Sequence, residues 1–472
     1  VVSHRVRPLA PVPLDFDAIR AELSIPGPFP PAVLAAADEA AASRPATSDD
    51  ATDLDLVTID PPGSMDLDQA VGIEATPDGG WIVRYAIADV ASWVTPGGAI
   101  DVEARARTQT YYAPDHRVPL HPDRLGEGAA SLLPDGPRPA ALWTIEVNAD
   151  GTTGTVDLRR AMVRSRARLD YAGVQAALDA GDAPACIAEF PRLGAALLAD
   201  ARRRHAIELG LPEQQVVQQA DGTWTVTLRK DLPVESWNAQ VSLLTGRAAA
   251  GIMLAGGIGI LRTLPAAPQG AVDRLRRAAK NLGITWPKGA DPGAVLAALD
   301  LDQPRHAAFA DLAGELLRGA GYTTFRGTPP EDHDHAGIGG PYAHVTAPLR
   351  RLVDRFATEV CLALHAGEPV PAWVDEALDT LPDLMREGDG RAKKLDRSIV
   401  DATEAFVLQG RVGDTFPAEV IESGDDYGTI VVDDPAIRAR CNGRDLPLGE
   451  TIQVRCVTAD VATRTVRFER VT

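Results

Sequence analysis

The segment LDLVTIDPPGSMDLDQA, residues 54–70, constrains this chain more than any other. Its first half has the composition of a hydrophobic strand, and it delivers Asp60 directly into Pro61-Pro62-Gly63-Ser64, where two prolines remove backbone donors and the glycine permits a sharp turn. The chain then returns with Asp66 and Asp68. In extended backbone these two share a face, and the turn can bring Asp60 back towards them. Three carboxylates at close range raise one another's pKa unless a cation neutralises them, and an all-oxygen donor set suits Mg²⁺ or Mn²⁺. Two such ions can activate a water and steady the leaving oxygen of a phosphodiester. The spacing DxxxxxDxD also arises often by chance, so an acidic surface loop is the competing reading until a second motif joins it.

Strand-like runs continue in WIVRYAIADVASWV and LWTIEV, with turn signals at Asp78 and Asp150, so a β-rich core begins near Leu54. From about Arg168 to Ala366 helical periodicity dominates, as in Ala271 to Leu282 with Arg274, Arg276, Arg277 and Lys280 on polar positions. The apolar run Ala248 to Leu261 reads as a buried helix, since it is shorter than the roughly 20 residues that span a bilayer. No membrane association is expected. Ahead of the core, a proline-punctuated start (Pro8, Pro11, Pro13) leads into helical patterns at Asp15–Leu23 and Pro30–Ala42, and the polar run Ser43 to Asp53 reads as a linker. Behind it, a helical stretch from Val374 to Leu408 precedes FPAEVIES, YGTIVVDD, ETIQVRCV and RTVRFERV, short strands that suggest a small OB-type barrel. The expected architecture is α+β in four parts: a helical, winged-helix-like unit at 1–50, a mixed α/β domain at 52–366, a helical connection at 367–411 and an OB-type barrel at 412–472.

The chain has 472 residues, 45% of them hydrophobic, which fits two or three folded units. Its 47 Lys and Arg against 66 Asp and Glu give a net charge of −19, so any nucleic acid must be met by locally concentrated arginines and not by the bulk field. The four cysteines, Cys186, Cys361, Cys441 and Cys456, lack zinc-site spacing and read as reduced thiols of a cytoplasmic protein, and the first residues do not look like a signal peptide. His333, His335 and His344 with Asp332 and Asp334 read as a solvated loop and not as a metal site. A monomer is expected.

The second motif is HAGIGGPYAHVTAPLRRLVDR, His335 to Arg355, in which Pro348 fixes the backbone just before Leu349, Arg350 and Arg351. A guanidinium offered by a rigid turn suits phosphate recognition. Together, TIDPPGSMDLDQA and YAHVTAPLRRLVD resemble the signatures of the RNase II/RNase R (RNB) nuclease family. AIADVASWV, ARTQTYYAPDHRVPLHP and GEGAASLLPDGPRPAALWTIEV resemble the intervening family segments, so that the likeness covers about residues 52–366. It implies that Asp60, Asp66 and Asp68 hold the catalytic metals, that Asp68 is essential to hydrolysis, that Arg350 stabilises charge on the scissile phosphate, and that Tyr112 stacks on the terminal nucleotides. The Tyr112 position reads otherwise as a half-buried core tyrosine, and Arg350 as a helix-start arginine.

The chain departs from the family pattern at Gln69, where an aspartate is usual, and at Ala239 and Gln240, where adjacent glutamates are usual. About 50 leading residues cannot encode the two cold-shock barrels of classical members, from which better tolerance of structured RNA with a 3′ overhang is expected. The resemblance implies a 3′ to 5′ hydrolytic exoribonuclease that uses Mg²⁺, or Mn²⁺, to degrade single-stranded RNA to 5′-mononucleotides. The rival readings are an RNB-fold RNA-binding protein that has lost turnover through Gln69, and a hydrolase of another phosphoester. Basic stretches at Arg159–Arg168, Arg202–Arg204, Arg274–Lys280 and Arg391–Arg397 are candidates to flank an RNA path, or else solvated helix faces.

Overall fold

The computed structural model describes residues 13–43, 45, 47 and 49–471. The proline-rich start at Pro8 and Pro11 lies outside them. Five strands, β1 (Asp50–Asp60), β2 (Gln69–Ala75), β3 (Trp81–Ala88), β4 (Arg138–Val147) and β5 (Thr153–Asp170), form a closed barrel in sequence order. Each neighbour pair is antiparallel except the closing one, in which β1 runs parallel to β5 with Thr58, Ile59 and Asp60 opposite Arg168, Leu169 and Asp170. Alternate residues along the strands enter two different cores. Val57, Ile59, Val71, Tyr85 and Trp143 join one, while Leu56, Ala70, Ala86 and Leu142 join the other. Burial on both faces is why β1 reads as an apolar run up to the carboxylate that ends it. The strand starts at Asp50 and not near Leu54: the last residues of the polar run pair with β5, Asp50 opposite Met162 and Ala51 opposite Val163.

Helices Phe190–Arg203, Pro233–Gly256 and Leu352–His365 pack beside the barrel in the larger core. The run Ala248 to Leu261 is not one helix. The helix stops at Gly256, Gly257 caps it in a left-handed conformation (φ +74°), and Ile258–Thr263 continues as a strand paired with Gly321–Arg326. Uniform apolarity hid a change of element that the two glycines mark. A second strand pair, Glu213–Gln218 with Trp224–Arg229, also lies in the region expected to be mostly helical. Beyond the core, the expected helical stretch is two helices, Ala372–Leu378 and the 28-residue Leu381–Leu408.

The C-terminal strands Thr415–Ser423, Tyr427–Val432, Ile437–Asn442, Thr451–Asp460 and Thr465–Arg470 close into a second five-stranded barrel, an OB-type arrangement, around Phe416, Val420, Ile430, Val454 and Phe468. At the other end, helix Phe16–Glu22 buries Phe16 and Ile19 against Tyr111, Val118, Leu395 and Ile399. Helix Pro31–Ala42 buries Val33 and Ala37 in the second core of the barrel. The result is the mixed α+β architecture expected from sequence. Among the described residues no helix is long and apolar enough to cross a membrane.

Candidate active site

The turn between β1 and β2 puts its acids at one end of the barrel. Gly63 adopts φ +85°, a conformation that an L side chain rarely takes. Asp60, Asp66, Asp68, Gln69, Tyr112 and Arg350 all line one cavity of about 520 Å³, together with Arg117, Tyr171, Asn238 and Arg351. Residues separated by nearly 300 positions in the chain thus meet in one place.

The second motif reaches the cavity because Asp354 organises it. That carboxylate is fully buried and accepts from the Ala347 amide at 2.7 Å and from the Arg351 guanidinium at 2.8 and 2.9 Å. The closed turn aims the Leu349 amide at Asp68 Oδ1 (2.7 Å) and brings Arg350 Nε to 3.3 Å from Asp68 Oδ2. The Arg350 carbonyl accepts from the Thr110 amide at 3.0 Å, and this bond holds the neighbouring Tyr111-Tyr112 segment beside it. Tyr111 turns inward, only 1% exposed, while Tyr112 stays 49% exposed and faces the cavity.

Burial dominates the electrostatics. It pushes the Asp68 carboxyl up to about 8 against the opposing pull of Arg350 and the Leu349 amide. It pushes Asp60 up to about 6, again against Arg350 and with Asp66 adding to the rise. Asp60 Oδ2 is buried with no hydrogen-bond partner. A buried Asp68 and a partly buried Asp60 with an orphaned oxygen form an all-oxygen donor set that suits a hard divalent cation, whose charge would supply what the protein does not. Asp66 is differently placed. It is held by Arg117 Nη1 at 2.5 Å, and Arg117 also pairs with Glu127. Among the described residues no three acidic, histidine or cysteine side chains stand close enough together to hold an ion.

Gln69 is clasped on both sides. Its Nε2 donates to the Thr346 carbonyl at 2.6 Å, and its Oε1 accepts from the Tyr85 hydroxyl at 2.7 Å, which is itself 2.8 Å from Ser242 Oγ. Sequence reasoning missed this clasp and the Arg117–Asp66 pair. Arg117 lies in the same short segment as Tyr112, which was a usable signal, whereas Tyr85 is one hydroxyl in a hydrophobic strand. Ala239 lines the cavity, and Gln240 is buried. One turn earlier, Glu235 is taken up by Arg229 and by the Leu232 amide. None of the four basic stretches lines this cavity. Arg160 pairs with Asp89 and Glu359, Arg204 with Asp200, Arg274 with Glu315, and Arg397 with Asp401. His344 is bonded to the Tyr322 hydroxyl at 2.8 Å, and His335 packs against Tyr342.

A barrel whose mouth carries buried acids beside an arginine turn defines a class, and residues 48–363 match the RNB domain while residues 414–471 match the RNase II-type exonuclease C-terminal S1 domain. The chain belongs to the RNB exoribonuclease family. It is 26% identical over 460 residues to ribonuclease R of Aquifex aeolicus, covering 87% of this chain and 63% of that protein. It is 26% identical over 391 residues to exoribonuclease 2 of Klebsiella pneumoniae, covering 80% and 60%. The chain thus spans about three fifths of the length of these relatives. The apo form of Mycoplasma genitalium RNase R shares the fold with TM-score 0.85 at 20% identity, over 97% of this chain and 77% of that one. Yeast Ssd1, described as a pseudonuclease, superposes with TM-score 0.66 at 16% identity, over 87% of this chain and 53% of that one.

Proposed function

We propose that this chain is a 3′ to 5′ exoribonuclease dependent on a divalent cation. The observation that carries the reading is the single cavity lined by Asp60, Asp66, Asp68, Arg350 and Tyr112 within the segment that matches the RNB domain. Asp60 and Asp68, joined by Asp66, would hold Mg²⁺ or Mn²⁺, which supplies an activated water and neutralises charge on the phosphodiester. Arg350 is half-exposed and only loosely engaged by Asp68, so its guanidinium is available to a phosphate oxygen as charge builds on it. Tyr112 offers a ring face to a base, a contact that tolerates any sequence. Discrimination against DNA would rest on contacts to the 2′-hydroxyl. Single-stranded RNA is the substrate in this reading, with cleavage to 5′-mononucleotides, in a cytoplasmic monomer.

The test is degradation of 5′-labelled single-stranded RNA, with matched DNA as control, in Mg²⁺, Mn²⁺ and EDTA. A ladder shortening from the 3′ end, lost in EDTA and in Asp68→Asn, is expected. A second reading has its own support: Gln69 brings no charge and is engaged by Tyr85 and Thr346, and a pseudonuclease shares the fold. RNA bound tightly with no shortening in either ion would favour a binding protein without turnover.

A further inference from the structure

Residues 112–117 form a six-residue loop closed at its base by Tyr111 and Val118, whose backbones exchange hydrogen bonds of 2.9 and 2.7 Å. Both ends of the loop enter the catalytic cavity, Tyr112 on one side and Arg117 on the other. Its tip is held from outside. Arg20, on helix Phe16–Glu22 and only 6% exposed, makes a two-pronged contact with Asp115, Nη1 to Oδ1 and Nη2 to Oδ2, each at 2.7 Å. Phe16 and Ile19 of the same helix pack on Tyr111 and Val118, the residues that close the loop. Glu22, at the end of that helix, pairs with Arg464 of the C-terminal barrel.

We propose that Arg20 and Asp115 are positioning residues that latch this loop and so fix Tyr112 against the terminal nucleotides, making the helix ahead of the barrel part of the machinery that grips a short RNA. The proposal rests on the RNA-degrading reading above. A paired guanidinium and carboxylate fix direction as well as distance, whereas a loop released at its tip keeps its base but lets the side chains beside the base wander. Tyr112 has no hydrogen bond of its own among the contacts of the described residues, so its ring direction depends on the loop backbone.

The experiment measures affinity for a five-nucleotide oligoadenylate in EDTA, with the end-product ladder in Mg²⁺ alongside, for wild type, Asp115→Asn, Arg20→Gln, Tyr112→Ala and the double variant of Tyr112→Ala with Asp115→Asn. Asp115→Asn leaves Arg20 its Asp17 contact and one acceptor oxygen at position 115, so this variant is the milder of the two and separates the latch from loss of the buried Arg20. Asp115→Asn is expected to weaken the pentamer about tenfold, near the lower end of what loss of one base stack costs. It should also lengthen the final product, and add nothing in the Tyr112→Ala background. Unchanged affinity in Asp115→Asn overturns the latch. So does an effect that persists in full without the Tyr112 ring, because it would run through Arg117 or through the fold. A wild type that binds no RNA at all refutes the RNA-degrading reading, and a wild type that binds the pentamer without cutting it removes only turnover, with affinity still deciding the latch.

Discussion

At the scale of single residues, Gln69 shows what a neutral side chain does in an acidic site. Its amide satisfies the Thr346 carbonyl and the Tyr85 hydroxyl at once, so Gln69→Asp removes a donor from a buried carbonyl and adds a charge. The metal-free variant should lose about 1–3 kcal/mol of stability. A carboxylate there should also tighten Mn²⁺, and each tenfold gain in affinity adds about 1.4 kcal/mol of stabilisation by ligand at saturation. Thermal unfolding of both proteins with and without Mn²⁺ checks this: the variant should melt lower without the ion and gain more from it, and equal gains would refute a role for position 69 in holding a cation. Tyr112 came only from the family resemblance, whereas the convergence of Asp60, Asp66, Asp68 and Arg350 was legible in the sequence because each sits in a short local pattern, a strand running into a proline turn and a proline before two arginines. The clasp on Gln69 was not, because Tyr85 and Thr346 approach it from β3 and from a segment 277 residues away, and no local pattern encodes where a hydroxyl in an apolar strand will point.

Among the elements, helix Pro233–Gly256 is a register gauge for the arginine motif. A Cβ at Gly246 would lie 2.1 Å from the Tyr342 ring and 2.5 Å from the Ala343 carbonyl oxygen, while the Gly246 carbonyl accepts from the Ala343 amide at 3.0 Å. The backbone at Tyr342 and Ala343 therefore rests directly on the helix, and Gly246→Ala must push the two apart. The expected loss is about 1–3 kcal/mol in urea unfolding, with a fall in cleavage rate beyond what the unfolded fraction explains. A variant as stable and active as the parent would show that the segment can shift freely. Helix Leu381–Leu408 makes a different kind of joint. Its Glu404, 3% exposed, accepts from the Arg438 amide of the C-terminal barrel at 2.7 Å and from Gln214 Nε2 at 2.8 Å. Burial pushes this carboxyl up to about 7. Because the folded pKa is raised, the native state holds the proton more tightly than the unfolded chain. The stability this contributes is complete below about pH 4.5 and is lost as pH rises through 7, a swing on the order of 3 kcal/mol. Glu404→Gln removes the titration, so the variant should gain stability relative to wild type between pH 5 and pH 8, measured by urea unfolding at both. A difference that does not change with pH would mean the carboxyl titrates normally. The elements themselves were legible wherever the hydrophobic period was unbroken. They were illegible where one apolar run served two elements in turn, as on either side of Gly257.

For the molecule as a whole, a net charge of −19 sets the field that RNA must cross, and most of the described arginines pair with the protein's own acids. At the cavity, Arg117 holds Asp66 and Arg351 holds Asp354, which leaves Arg350 with a half-exposed side chain and one long contact to Asp68. On the C-terminal barrel, Arg438 pairs with Asp311, Arg444 with Asp426 and Arg455 with Glu469, while Arg440 lies over the Tyr427 ring at 3.6 Å. Close to the cavity, an RNA strand would therefore meet few guanidiniums not already closely paired with an acid, chiefly Arg350 and Arg168, which donates to the Ser64 carbonyl. For single strands the logarithm of affinity falls with the logarithm of salt at about 0.7 per phosphate neutralised. With one to three phosphates neutralised, the expected slope for a single-stranded RNA, measured in EDTA by fluorescence anisotropy, lies between about −0.7 and −2. Grip would then come mainly from stacking and from hydrogen bonds that salt does not screen, and the Tyr112→Ala variant should weaken binding by a similar factor at low and high salt. A slope steeper than about −4 would mean instead that the intramolecular ion pairs open on binding and hand their arginines to the phosphates, and the acidic surface would then be a store of releasable cations.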